Sequence, residues 1–111
     1  RRAGEIRMPA ELIPDESTVW EALHGVLDPE IGENVVDLGL VYRVECVPGR
    51  VQVDLTMTSP ACPMGGAIAR DAESAIRGAC AEAHEVQVAI VFDPPWTPER
   101  MSDGLRQRFG W

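Results

Sequence analysis

From Leu38 to Met57 apolar residues recur at every second position with a single break, and that pattern leaves few folds open. Leu38, Leu40, Tyr42, Val44 and Cys46 hold even positions. After Pro48-Gly49, Val51, Val53, Leu55 and Met57 hold odd ones, with Gln52, Asp54, Thr56 and Thr58 between them. Successive side chains of a strand point to opposite faces, so the pattern predicts an antiparallel hairpin with one face inward. Pro48-Gly49 supplies the turn. Thr56 and Thr58 are expected on the polar sheet face, from which a hydroxyl could meet a ligand.

The period changes on either side of the hairpin. Between Pro63 and Ala83, Ile68, Ala72, Ala75, Ile76, Ala79, Cys80 and Ala83 recur at helical spacing, and their small size lets a helix sit close to a sheet. Alternation returns at Glu85–Phe92, with Val86, Val88, Ile90 and Phe92 inward. Asp93-Pro94-Pro95-Trp96-Thr97-Pro98 ends that strand, and an amphipathic tail, 98–111, closes the chain. Upstream, Ser17 offers an N-cap for a helix to about Leu27, whose apolar stripe is Val19, Trp20, Leu23, Val26 and Leu27. Pro29 stops it. Residues 1–16 read as a flexible lead-in and 17–111 as one domain. The order is helix, strand, strand, helix, strand, short helix. It predicts an α/β (α+β) two-layer sandwich, with helices on one face of a small mixed sheet of three to four strands and a right-handed crossover into the last strand.

A chain of 111 residues supports one modest core. Its formal net charge of −8 repels phosphate backbones and anionic lipid, so no nucleic acid and no membrane is expected as partner. A protein with a basic face stays open as a partner. No apolar run approaches the ~20 residues of a membrane helix. The three cysteines, Cys46, Cys62 and Cys80, form no CxxC pair, which leaves a closed four-ligand zinc site without support. Their odd number, with no signal peptide, fits a reducing, cytoplasmic setting.

Cys62 is the candidate functional centre. It lies in Ser59-Pro60-Ala61-Cys62-Pro63-Met64-Gly65-Gly66, between a predicted strand and a predicted helix. Unpaired N–H groups at a helix N-terminus favour a thiolate, the form that binds metal or attacks an electrophile. Pro63 suits the first helical position. Gly65 and Gly66 lower helix propensity by roughly 1 kcal/mol each, as if something approached the backbone. The plainer alternative is a small residue in a tight turn. Cys46 and Cys80 fall on inward faces and read as core.

Asp28-Pro29-Glu30-Ile31-Gly32-Glu33 and Asp37 make an acidic link between the first helix and first strand. Two readings stand side by side. The carboxylates are a solvated loop, or Asp28, Glu30 and Asp37 come near Cys62 as oxygen ligands or proton acceptors. His24 and His84 lack partners at ligand spacing and read as surface or capping residues. Trp96 reads as a cover for the core, and Asp93 as a residue able to point at the site.

Four segments together, Asp28-Pro29-Glu30, Val36 to Tyr42, Thr58 to Gly65, and Phe92 to Ser102, resemble the MIP18 family, also called the DUF59 domain. Its bacterial members include SufT-type iron–sulfur maturation factors and PaaD-like proteins. The resemblance spans residues 17–111. It implies a role in assembling or delivering iron–sulfur clusters, without enzymatic activity. The family's motif cysteine matches Cys62, and its acidic motif matches Asp28, Glu30 and Asp37. The Asp-Pro-Pro-Trp-Thr stretch is closer to the SufT-type members, and no cysteine after Cys80 matches those of PaaD-like oxygenase accessories. The expected cofactor is a transient iron–sulfur cluster, none tightly bound. Expected partners are assembly machinery and client apoproteins. A homodimer would bring two copies of Cys62 to one cluster. The competing reading is an adaptor that binds clients without metal through the C-terminal stretch holding Asp93, Trp96 and Thr97. A thiol enzyme ranks last, because no base is placed beside Cys62.

Overall fold

The computed structural model describes residues 13–58 and 65–110. Helix α1 (Glu16–Leu23) leads into a two-stranded ribbon, β1 (Leu27–Asp28) and β2 (Glu33–Asn34). The hairpin comes next as β3 (Val41–Val47) and β4 (Arg50–Leu55). Helix α2 (Gly65–Ala79) crosses to β5 (Glu85–Ile90), and a 3-10 turn (Pro98–Arg100) precedes α3 (Asp103–Phe109).

The expected architecture is present. β4 is the central strand of the order β3-β4-β5, antiparallel to β3 and parallel to β5, so the sheet is mixed. The parallel pair needs a crossover, and α2 provides it. Val51, Val53 and Leu55 of β4 are fully buried, as are Val19 and Leu23 of α1 and Ile68, Ala72 and Ile76 of α2. These side chains form one cluster with Leu38, Leu40 and Cys80. Burying an aliphatic side chain of this size contributes about 1.5–3 kcal/mol, so the packed layer and not helix propensity holds α1, only eight residues long, in place.

Several local expectations are corrected. Helix α1 starts at Glu16 with Asp15 as N-cap, not at Ser17, and it ends at Leu23. Leu27, placed in its apolar stripe, instead lies in the ribbon and is exposed. That ribbon lies in the segment read as a loop. A bulge between Val41 and Arg43 interrupts the β3–β4 register. One extra residue turns the remainder of a strand over, so Val41, Val44 and Cys46 pack on the core. Tyr42 leaves the inward set, donates its hydroxyl to Pro94 O at 2.8 Å and lies beneath the Arg100 guanidinium, 4.5 Å from the ring centre. Phe92 lies beyond the end of β5 and is exposed rather than inward. Ala79 of α2 is exposed, whereas Cys80 is buried.

Candidate functional site

The acidic segment folds on its own side chains. Asp28 is 1% exposed. Its Oδ1 accepts from Glu30 N at 2.9 Å, and its carbonyl accepts from Ile31 N and Gly32 N. Gly32, at φ 82°, closes the tip of the ribbon, where Asp28 pairs with Glu33. Six residues on, Asn34 Oδ1 accepts from Asp37 N at 2.9 Å, and Asn34 Nδ2 donates to Asp37 Oδ2 at 3.0 Å. Short polar side chains that bond nearby backbone favour turns over regular structure, which is why this stretch carries no long strand. Glu30 is exposed and Asp37 half-buried. Glu33 pairs with Arg108, tying β2 to α3.

The C-terminal stretch lies against this region. Trp96 Nε1 donates to Leu38 O, Ser102 N donates to Asp37 O at 2.8 Å, and Gly39 meets Arg100 so closely that a Cβ would lie 2.1 Å from Arg100 O. The product is a pocket of ≈ 380 Å³, lined by Ile31 from the acidic turn, Thr58, Trp96, Met101 and Phe109. Its walls are almost wholly apolar, with one hydroxyl from Thr58. Thr58 stands immediately before the cysteine loop in sequence.

Cys62, together with the rest of 59–64, lies outside the described residues. Among the described residues no group of three or more His, Cys, Asp or Glu side chains could hold a metal ion. A Cβ on Gly65 would meet Met57 at 3.6 Å, an ordinary contact, so no described neighbour demands glycine there. Asp93 lies away from the apolar pocket, in a polar cleft with Tyr42, Arg43, Asp54 and Arg100. Thr97 is exposed, and its hydroxyl holds the Glu99 carboxyl below its ordinary range, aided by Glu99's own backbone N–H. The trio Asp93, Trp96 and Thr97 therefore does not share one surface pocket. Trp96 alone of them lines the apolar one.

Cys46 and Cys80 are both free thiols. Burial pushes the Cys46 thiol up, reinforced by Glu16 and Cys80, and burial likewise raises Cys80, reinforced by Glu82 and Asp15. Both match the core reading. His24 Nδ1 contacts Trp20 O at 3.0 Å and finishes α1, and His84 is exposed beside Gly49. Sequence reasoning missed Ile31, Met101 and Phe109 as pocket walls. It also put Thr56 outside, whereas Thr56 is fully buried and its Oγ1 has no hydrogen-bond partner among the described residues.

The family model described as "Iron-sulfur cluster assembly protein" matches residues 16–90. The chain belongs to this family. It is 44% identical over 78 residues to the Fe-S protein maturation auxiliary factor SufT of Staphylococcus aureus (strain USA300), covering 69% of this chain and 88% of the relative. It is 36% identical over 88 residues to the Fe-S protein maturation auxiliary factor YitW of Bacillus subtilis (strain 168), covering 78% and 85%. A crystal structure of a DUF59 domain from Bacillus anthracis superposes with a TM-score of 0.81 at 38% identity, covering 86% of this chain and 91% of that one. The iron–sulfur cluster assembly family match runs from α1 through β5. It includes the acidic turn and the Cys62 loop, and it stops before Trp96, Met101 and Phe109, which complete the pocket. No helix among the described residues is long and apolar enough to cross a membrane.

Proposed function

We propose that this protein assembles or carries iron–sulfur clusters for client proteins, with the cluster as cargo and the Cys62 thiolate as its ligand. One observation supports this reading beyond family membership. The acidic turn, the residue leading into the cysteine loop and the C-terminal stretch, separated widely in sequence, meet at one pocket through Ile31, Thr58, Trp96, Met101 and Phe109. An apolar pocket of this kind offers a setting of low polarity, where metal–sulfur bonds compete less with water.

The roles rest on the chemistry. One thiolate holds a cluster weakly, which suits release to a client. In this reading Glu30, on the acidic turn next to Ile31, assists iron binding. Asp28 and Asp37 shape the turn through the bonds described above. Hand-over needs ligand exchange only, and no covalent catalysis by the protein. The supporting protein partners are those a carrier must meet, the assembly machinery and client apoproteins.

Anaerobic reconstitution with iron and sulfide tests the proposal. Visible sulfide-to-iron charge-transfer bands are expected, and they disappear in Cys62→Ser. Bands that persist in that variant, or none in the natural protein, refute cluster ligation by Cys62. The apolar lining also favours a second reading, an adaptor that receives an apolar client side chain without metal. In that case Cys62→Ser retains client binding and Trp96→Ala loses it.

A further inference from the structure

The two outer strands of the sheet are protected very differently. β3 carries a bulge and two charged residues, Arg43 and Glu45, and Arg43 bonds Asp54 at 3.2 Å and Glu45 at 3.4 Å. Bulges and charges are the ordinary means by which an exposed edge avoids pairing with another chain. β5 has no bulge, and its one charge is Glu85 at its first position, whose carboxylate accepts from Gln87 Nε2 at 2.7 Å. Val86-Gln87-Val88-Ala89-Ile90-Val91-Phe92 contains no charge, no proline and no glycine, and it is rich in β-branched residues. Such a stretch on an open edge pairs readily with another strand.

The open groups can be named. Glu85 N donates to Gly49 O and Val91 N to Leu55 O, both toward β4. In a parallel ladder alternate residues bond the same neighbour, so Gln87 and Ala89 also face β4. Val86, Val88 and Ile90 therefore turn their N–H and C=O groups outward, and among the described residues no strand lies beyond them. Val88 and Ile90 are only half-buried, and Phe92 at the end of this row is 46% exposed.

We infer that the β5 edge is the interface between two copies of this chain, which pair antiparallel about a two-fold axis through Val88 into one six-stranded sheet. The occupant is argued from the register. With the axis at Val88, Val86 faces Ile90, Gln87 faces Ala89, and His84 faces Phe92 across the axis. Glu85 then faces Val91 and is kept away from its own copy. Moving the axis to Ala89 sets Glu85 opposite Asp93, and like charges directly opposite are destabilising. Moving it to Gln87 takes Phe92 out of the pairing. The strand is thus complementary to itself in one register, and an isologous pair closes the edge on both partners.

Light scattering on the eluting natural protein, at high micromolar concentration, is expected to give twice the chain mass of 12.1 kDa. A monomer mass overturns the inference. Two double variants on the exposed sheet face test the register: Gln87→Lys with Ala89→Lys, and Gln87→Glu with Ala89→Glu. Each sets like charges opposite and should be monomeric alone, and an equimolar mixture should recover the dimer mass, because each Lys then faces a Glu. Dimers that survive in either variant, or no recovery on mixing, place the interface elsewhere. Hydrogen exchange on the natural protein gives a readout independent of the variants. Amides of Val86, Val88 and Ile90 should be protected when concentrated and lose protection on dilution, while Gln87, Ala89 and Val91 stay protected in both. Equal exchange of the two sets at both concentrations overturns the inference.

Discussion

The indole N–H of Trp96 donates to the carbonyl oxygen of Leu38 at 2.7 Å, across 58 positions of the chain. Leu38 is fully buried, so this bond satisfies an acceptor that water cannot reach. Trp96→Phe keeps an aromatic ring on the core and removes the donor. Leaving a buried acceptor unpaired costs about 1–3 kcal/mol. The expected outcome is a stability loss of that size in denaturant titration, with the slope against denaturant unchanged. Unchanged stability would show that the bond is replaced in solution.

This contact also marks how far the sequence carries. The alternation at 38–57 and at 85–92 announces the three strands, and the helical spacing around Ile68, Ala72 and Ile76 announces α2. Tyr42 escapes that logic because a bulge costs one residue of register and leaves no periodic trace. Thr56 escapes it because its N–H switches partner, from the ladder to Leu40 O at 2.8 Å, so that Leu55, Thr56 and Met57 are buried in succession. The ribbon strands are two residues each, too short to show a period. Within the site, the cysteine motif and acidic motif are legible as local words. The pocket joining Ile31 to Phe109 is not, because it exists only once the C-terminal stretch docks on Leu38 and Asp37.

That docking depends on a glycine. Gly39 has φ 76°, and a Cβ there would lie 2.1 Å from Arg100 O and 2.5 Å from Arg100 C. Gly32 has φ 82° but open space around a would-be Cβ. Both alanine variants bear the left-handed cost of about 1–2 kcal/mol. Only Gly39→Ala must also displace backbone. Gly39→Ala is therefore expected to lower the melting temperature well beyond Gly32→Ala and to expose Trp96, read as a red shift of tryptophan emission. Equal melting temperatures would mean that the 97–102 stretch can shift without loss.

Thr56 offers a gain. Its Oγ1 is buried without a partner among the described residues, a state that costs about 1–3 kcal/mol relative to an apolar group of the same shape. Thr56→Val removes the hydroxyl and keeps the branch. Stability should rise by about 1 kcal/mol in denaturant titration. If cluster reconstitution falls at the same time, the hydroxyl serves the neighbouring cysteine loop, and its cost to stability is a functional one. A stability loss would show that Oγ1 is bonded in solution.

The buried thiols predict an alkaline signature. Burial raises the folded-state pKa of both Cys46 and Cys80 above the ordinary thiol value. A group whose folded pKa is raised holds its proton longer in the native state than in the unfolded one. Its stabilising contribution is complete below the unfolded thiol pKa and is lost as pH rises through that value toward the folded one. Stability should therefore decline on the alkaline side of the thiol range, and Cys80→Ala should flatten the decline while lowering stability at neutral pH by leaving space in the core. Timed alkylation at neutral pH, followed by mass spectrometry, separates the sites. Cys46 and Cys80 should react slowly because little thiolate is present and access is poor. Cys62, under the ligand proposal, should react first. Faster modification of Cys80 than of Cys62 would contradict both the burial of the one and the role assigned to the other.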